Sequence, residues 1–180
     1  MRYCALVLDL ALGLAGVLSL TGCAKLVSIN PIVTDKEAML DPALLGVWHD
    51  KDGEDTLIVN QLENHYVIRY VGKSSSAVKL EARLFEAGDV RLMDVVASDD
   101  DPFRTPTHIP MRVWLDGTTL RFSLLDSDWL KQHATRQLAA QTVEGRTLIT
   151  APSDTVRAFL TEYGIDARAC GEPEDLHKAQ

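Results

Sequence analysis

A cysteine at position 23, five scattered histidines and a few runs of acids are the side chains in this sequence with the chemistry to make a site. The thiol of Cys23 can be a core residue, half of a disulfide, or a point of covalent attachment. His49, His65, His108, His133 and His177 show no HxH or HExxH spacing, so zinc would need ligands converging from separate segments. No metal site is expected. Asp50-Lys51-Asp52-Gly53-Glu54-Asp55 has the acid density of a calcium loop. Its glycine, however, comes fourth instead of sixth, and no glutamate closes the loop at position twelve. A solvated hairpin tip is the better reading. Asp99-Asp100-Asp101-Pro102 reads as the start of a loop, because three adjacent carboxylates point in different directions. No Gly-x-Ser-x-Gly elbow, phosphate loop or dinucleotide glycine fingerprint is present, and Ser74-Ser75-Ser76 falls in a turn. The sequence thus assigns no catalytic residue and implies no cofactor.

The context of Cys23 narrows its role. Arg2 is a thin positive start, and residues 5–20 are almost all Ala, Leu, Val and Gly, broken by Asp9 and Ser19. That run is shorter than the roughly 20 residues that span a bilayer, which favours a cleaved signal over a transmembrane anchor. Leu20-Thr21-Gly22-Cys23 resembles the lipobox of bacterial lipoproteins. Small residues fit a peptidase cleft in extended form, and only cysteine offers a thiol that can become a thioether to diacylglycerol. The resemblance implies cleavage between Gly22 and Cys23, lipidation of Cys23 and acylation of the new amino group by the lipoprotein-processing enzymes. Each buried methylene contributes about 0.8 kcal/mol, so two or three acyl chains hold a protein on a membrane almost irreversibly. Ala24 in place of an aspartate resembles the outer-membrane sorting signal of enteric bacteria. Cys4 leaves with the signal, so a thioether at Cys23 leaves Cys170 unpaired, an inert thiol near a polar end.

The elements that must position any site lie downstream. The chain has 180 residues, 46% hydrophobic and 24% charged, with a net charge of −8, and Arg2 and Asp9 cancel within the signal. This is one domain with a real core. An acidic chain without a basic stripe argues against nucleic acid and against electrostatic docking to anionic lipid. Residues 1–22 are the signal, 23–40 the lipidated cysteine and a tether, 41–167 a single β-rich domain, and 168–180 a polar, frayed tail. Alternating apolar and polar residues predict strands at 56–62, 65–71, 78–84, 90–96, 111–115 and 119–125, with Asp116-Gly117 as a hairpin turn. Such spacing indicates an antiparallel meander with one dry face. Asp126-Ser127-Asp128 predicts a helix from Trp129 to about Ala139, and 147–150 one more strand. Val156, Phe159, Leu160 and Tyr163 at i, i+3, i+4, i+7 predict a helix closed by Gly164.

Asp41-Pro42-Ala43-Leu44-Leu45-Gly46-Val47-Trp48 resembles the entry to a lipocalin-like (calycin) barrel, where a short helical turn leads to Gly-x-Trp on the first strand. The resemblance implies a mainly β, antiparallel barrel or half-barrel with two helices in the C-terminal third. In that family the tryptophan plugs one end and the interior holds an apolar ligand. A late arginine packs on the tryptophan there, and Arg112 and Arg121 are the two candidates here. The string from Asn30-Pro31-Ile32-Val33 through Leu44-Leu45-Gly46-Val47-Trp48 to Leu130 is also similar to small bacterial lipoproteins to which no activity is attached. The proline-rich segment 98–110 is the expected binding loop at a barrel rim. The ligand-binding candidates are therefore Phe103 and His108 from that loop, with Trp48, Tyr66, Tyr70 and Trp114. Three functions compete: a membrane-anchored module binding an apolar ligand or envelope protein, an envelope hydrolase using a barrel-mouth carboxylate (Glu81 or Asp94) with His108, and a purely structural lipoprotein. A cavity beside Trp48 favours the first. A carboxylate and His108 hydrogen-bonded in a cleft favour the second, and a filled core with an exposed apolar patch the third.

Overall fold

The computed structural model describes residues 26–73, 77–98, 105–126, 128–129, 132, 138–143, 145–164 and 166–179. The stretch Leu20-Thr21-Gly22-Cys23, read as a lipobox, lies outside the described residues. So do the serine run at 74–76, the acidic run at 99–101, Phe103 and His133.

Eleven strands follow in chain order: β1 (Leu26–Ser28), β2 (Gly46–His49), β3 (Thr56–Leu62), β4 (His65–Val71), β5 (Val78–Ala87), β6 (Val90–Ala97), β7 (His108–Asp116), β8 (Thr119–Leu124), β9 (Ala140–Val143), β10 (Arg146–Ile149) and β11 (Glu174–Lys178). A helix, α1 (Ser153–Tyr163), precedes β11, and Pro42–Leu44 form a 3-10 turn. Strands β2 to β8 pair antiparallel in sequence order, and β11 inserts antiparallel between β8 and β2. The result is a closed eight-stranded antiparallel barrel. The predicted meander is therefore present, with β3 and β4 at the expected bounds. At the β7–β8 hairpin Asp116 still pairs with Thr119, so the turn is Gly117-Thr118, one residue later than expected. Gly117 has φ +58, a left-handed conformation in which a side chain is strained.

Strand register fixes what faces the axis, because alternate residues share a face. Leu57 and Val59 of β3 oppose Trp48 and Gly46 of β2, and Ile68 opposes both Val59 and Leu80. Met93, Met111, Val113, Leu120 and Leu176 continue this inward set around the barrel.

A second apolar layer lies outside. β1 joins the start of β7 through Ser28 and His108, runs parallel to β10, and β10 carries β9 on its far side. Val156, Phe159 and Leu160 of α1 pack with Phe85, Ala87, Val90 and Leu92, the outward residues at the β5–β6 tip, and with Ile32 and Val33. The predicted apolar stripe of α1 is thus its buried face. Tyr163, the last residue of that stripe, lies against Phe159 with 4.9 Å between ring centroids.

Three segments differ from the sequence expectation. The stretch 23–40, read as a tether, is folded in its latter part: Leu26 and Val27 are buried in β1, and Ile32 and Val33 are fully enclosed. Their apolar side chains have no period of their own, but they fill the groove between α1 and the barrel. The tail 168–180, read as frayed, supplies β11, the stave that closes the barrel. Its pattern is polar because only Leu176 of its five residues is buried. Of the first predicted C-terminal helix, Asp128, Trp129 and Gln132 are helical, Leu138 is already outside a helix, and most of the rest lies outside the described residues.

Candidate functional site

The inner residues do not quite fill the barrel. A cavity of about 50 Å³ lies on its axis, walled by apolar side chains alone, among them Leu44, Ile68, Met93, Met111, Leu120 and Phe122. Nothing in that wall can donate or accept a strong hydrogen bond, so the space suits only an apolar group.

One end of the barrel is shut by the segment that leads into β2. Trp48 is wholly buried and donates its indole N–H to the carbonyl of Leu44 at 3.0 Å, which ties the 3-10 turn across the opening. The Nζ of Lys178 sits 5.0 Å from the Trp48 ring centroid and donates to the Ala43 carbonyl at 3.1 Å. A cation over an indole face is attracted by the ring quadrupole. Gly46 makes this approach possible, since a Cβ there would lie 3.1 Å from Lys178 Cε, at a φ of +131. Beside it the Tyr66 hydroxyl accepts from the Asp41 N–H at 2.6 Å, and Arg91 Nη1 donates to Asp41 Oδ2 at 2.6 Å. The Ala43 N–H and then Arg91 hold the Asp41 carboxyl below its ordinary range, and burial pushes the Tyr66 phenol up.

The opposite end carries acids. Tyr70 points inward and donates to Asp55 Oδ1 at 2.6 Å. Loss of hydration comes first in raising its pKa, followed by that hydrogen bond and the charges of Asp55, Glu174 and Asp50. Glu174 opposes Phe122 in the β11–β8 register and so belongs to the inner face. Partial burial, then the charge of Asp55, raises its carboxyl above the ordinary value. The chain of Asp50 to Asp55 is a hairpin tip, as read, with the Asp55 N–H bound to Asp50 Oδ1 at 3.0 Å.

Outside the barrel, His108 and Asp94 form a buried pair. His108 Nδ1 is 2.8 and 3.0 Å from the two Asp94 oxygens, and Asp94 Oδ2 also accepts the Ile32 N–H at 2.9 Å. A carboxylate and His108 are therefore within hydrogen-bond reach, but on the outward face and beneath segment 26–33, with Asp94 only 1% exposed. Ser28 stands opposite His108 in the register, and its hydroxyl is turned to the Asn30 backbone. This arrangement holds the segment to the barrel. Glu81 also faces outward, where Ser98 Oγ approaches it at 3.4 Å. On the same outer side Arg112 lies 4.7 Å over the Trp114 ring and 3.9 Å from Cys170 Sγ. Burial leads in raising the Cys170 thiol pKa, against the lowering effect of Arg112.

Of the predicted ligand-binding residues, Trp48, Tyr66 and Tyr70 share the inner face, the first two at the closed end. Trp114 and His108 point away from the cavity, because β7 turns Ile109, Met111, Val113 and Leu115 inward. Of segment 98–110, residues 108–110 are already in β7. The cation on Trp48 is Lys178, neither Arg112 nor Arg121. Arg121 pairs instead with Asp175 at 2.6 Å on the outer face. The sequence pattern marked neither Lys178 nor Glu174 as a site residue, and Asp55 only as part of a hairpin tip. The signal for the first two was the weak alternation of Glu174, Leu176 and Lys178 around one apolar residue. No protein-family model, curated protein or solved structure matches this chain.

Proposed function

We propose that this chain is a bacterial envelope lipoprotein, anchored through lipid on Cys23 and facing the periplasm from the outer membrane, whose barrel binds a slim apolar group. The observation that carries the binding reading is the all-apolar cavity inside a closed barrel. Its volume of about 50 Å³ is well below that of a drug-sized site, about 300 Å³ or more. A narrow alkyl segment fits that limit better than a fused-ring molecule. Met93 and Met111 in the wall are unbranched and can swing to lengthen the space. The lipobox resemblance supports the anchor, and Ala24 supports the outer-membrane address.

Native mass spectrometry of the protein drawn from bacterial membranes tests the binding reading. A retained small apolar molecule is expected, and a clean apo mass would favour the structural-lipoprotein alternative. The anchor is tested separately by labelling with radioactive palmitate. Cys23→Ser is expected to abolish the label and leave the precursor uncleaved, whereas unchanged labelling would sink the lipidation claim.

A further inference from the structure

Of the described residues that line the cavity, Leu44 alone comes from outside the barrel strands. Every other one sits on a strand paired on both sides. Ile68 lies between Val59 and Leu80, Met93 between Leu84 and Met111, and Phe122 between Val113 and Glu174. None of these leaves the wall without opening a hydrogen-bonded ladder. Leu44 sits instead on a strap, residues 39–45, that crosses the closed end of the barrel. The strap is bridged to Leu84 at Met39 and joins the sheet again where Gly46 pairs with Val59. Between those points barrel side chains hold it. The Tyr66 hydroxyl meets the Asp41 N–H, Arg91 the Asp41 carboxylate, Lys178 the Ala43 carbonyl and the Trp48 indole the Leu44 carbonyl. Such hydrogen bonds exchange for bonds to water at small net cost. Gly46, at φ +131, stands at the strap's end, and a few residues of this kind can absorb a hinge motion.

The size of the cavity says when that motion matters. An apolar space of about 150 Å³ takes up a molecule as large as benzene. The barrel offers about 50 Å³ while Leu44 is in place. A swing of Met93 or Met111 redistributes space inside a closed wall, whereas withdrawal of Leu44 adds space. An incoming alkyl chain also replaces the apolar contacts that Leu44 gives up, like for like. We propose, on the basis of the ligand-binding reading above, that Leu44 is a displaceable floor of the site. An alkyl chain takes its place and releases the strap, so that occupancy of the barrel is coupled to the position of residues 39–45.

Hexanol, titrated calorimetrically into the full chain in lipid nanodiscs with empty nanodiscs as the blank, is the probe. Hydrogen exchange is read with and without it. A ligand that leaves the strap in place slows exchange or leaves it unchanged. Displacement does the reverse at the Leu44 and Leu45 amides, which bond to the Asp41 and Pro42 carbonyls at 3.1 Å. Their exchange is expected to rise about tenfold or more on binding, with Met93 and Met111 no faster. Leu44→Ala has less side chain to displace and is expected to bind hexanol about tenfold tighter than the native chain. A cooperative melt verifies the fold of that variant, and the exchange measurement on the native chain does not depend on it. Hexanol bound with strap exchange unchanged or slower would overturn the displacement and leave the cavity reading standing. Binding by the variant alone would make Leu44 a fixed plug and equally overturn it. If neither protein binds hexanol, the cavity reading falls as well.

Discussion

The barrel interior and the layer outside it are both apolar cores, yet they are built on different terms. The interior draws on eight strands, each contributing alternate residues, and its wall leaves a cavity of about 50 Å³. The outer layer joins residues far apart in the chain, Ile32 and Val33, Phe85 to Leu92, Ile149, and the face of α1. It also encloses the Asp94–His108 pair, whose carboxylate holds the Ile32 backbone. The contrast teaches that the barrel is defined by repetition and has slack, while the outer layer depends on single contacts with no repeat to replace them.

Truncation of the main aromatic in each core gives the largest effects. Trp48→Ala and Phe159→Ala are each expected to cost about 3–5 kcal/mol in urea unfolding, by transfer and cavity terms together. Hydrogen exchange distinguishes them. The first should deprotect residues 41–49 and 174–179, and the second α1 and segment 26–33, with the barrel strands still protected. Identical patterns would mean that the two cores are one cooperative unit.

Asp94→Ala removes the acceptor for both His108 and the Ile32 N–H, at an expected loss of about 3 kcal/mol, since it strands buried donors. Faster exchange at Ile32 than at Ile68 or Val95 would show that the pair fastens the outer segment and not the barrel. Adding a methylene separates the cores by sign. Val113→Ile extends into the barrel cavity and is expected to be neutral or stabilising by up to about 0.8 kcal/mol. Val156→Ile, at a fully enclosed site, is expected to cost about 1–3 kcal/mol. A destabilising Val113→Ile would mean that the interior is as tightly packed as the outer layer.

The smallest effect is a pH dependence. Glu174 has a folded pKa above its unfolded one, so the folded state binds that proton more tightly. Its ionisation therefore takes stability away as pH rises from the ordinary glutamate value through the raised one. Glu174→Gln should melt higher than the native chain at neutral pH and lose that advantage below the ordinary glutamate range. Melting curves at several pH values check this, and a difference independent of pH would assign the change to packing.

Much of the barrel was legible because its strands must alternate to bury one face and wet the other. Residues 56–62 and 65–71 carry that pattern without interruption, and Gly117 marks a turn that needs a left-handed backbone. Trp48 was legible as a plug through Gly46-Val47-Trp48 and the turn before it. The closing strand was not legible. Glu174 and Lys178 stand in a stretch with one apolar residue, where alternation is too sparse to announce a strand. His108 and Trp114 were assigned to the site from their types, but the register of β7 turns both outward.

By itself the sequence determined what depends on near neighbours: the antiparallel strands, the hairpin turns and the apolar stripe of α1. Tertiary structure alone decided how the sheet closes. Residues 174–178 become a stave because β8 and β2 offer two open edges whose backbone groups need partners. Segment 26–33 becomes core because α1 and the β5–β6 tip leave a groove for it. Both depend on surfaces made by residues distant in the chain, and no local pattern carries that information.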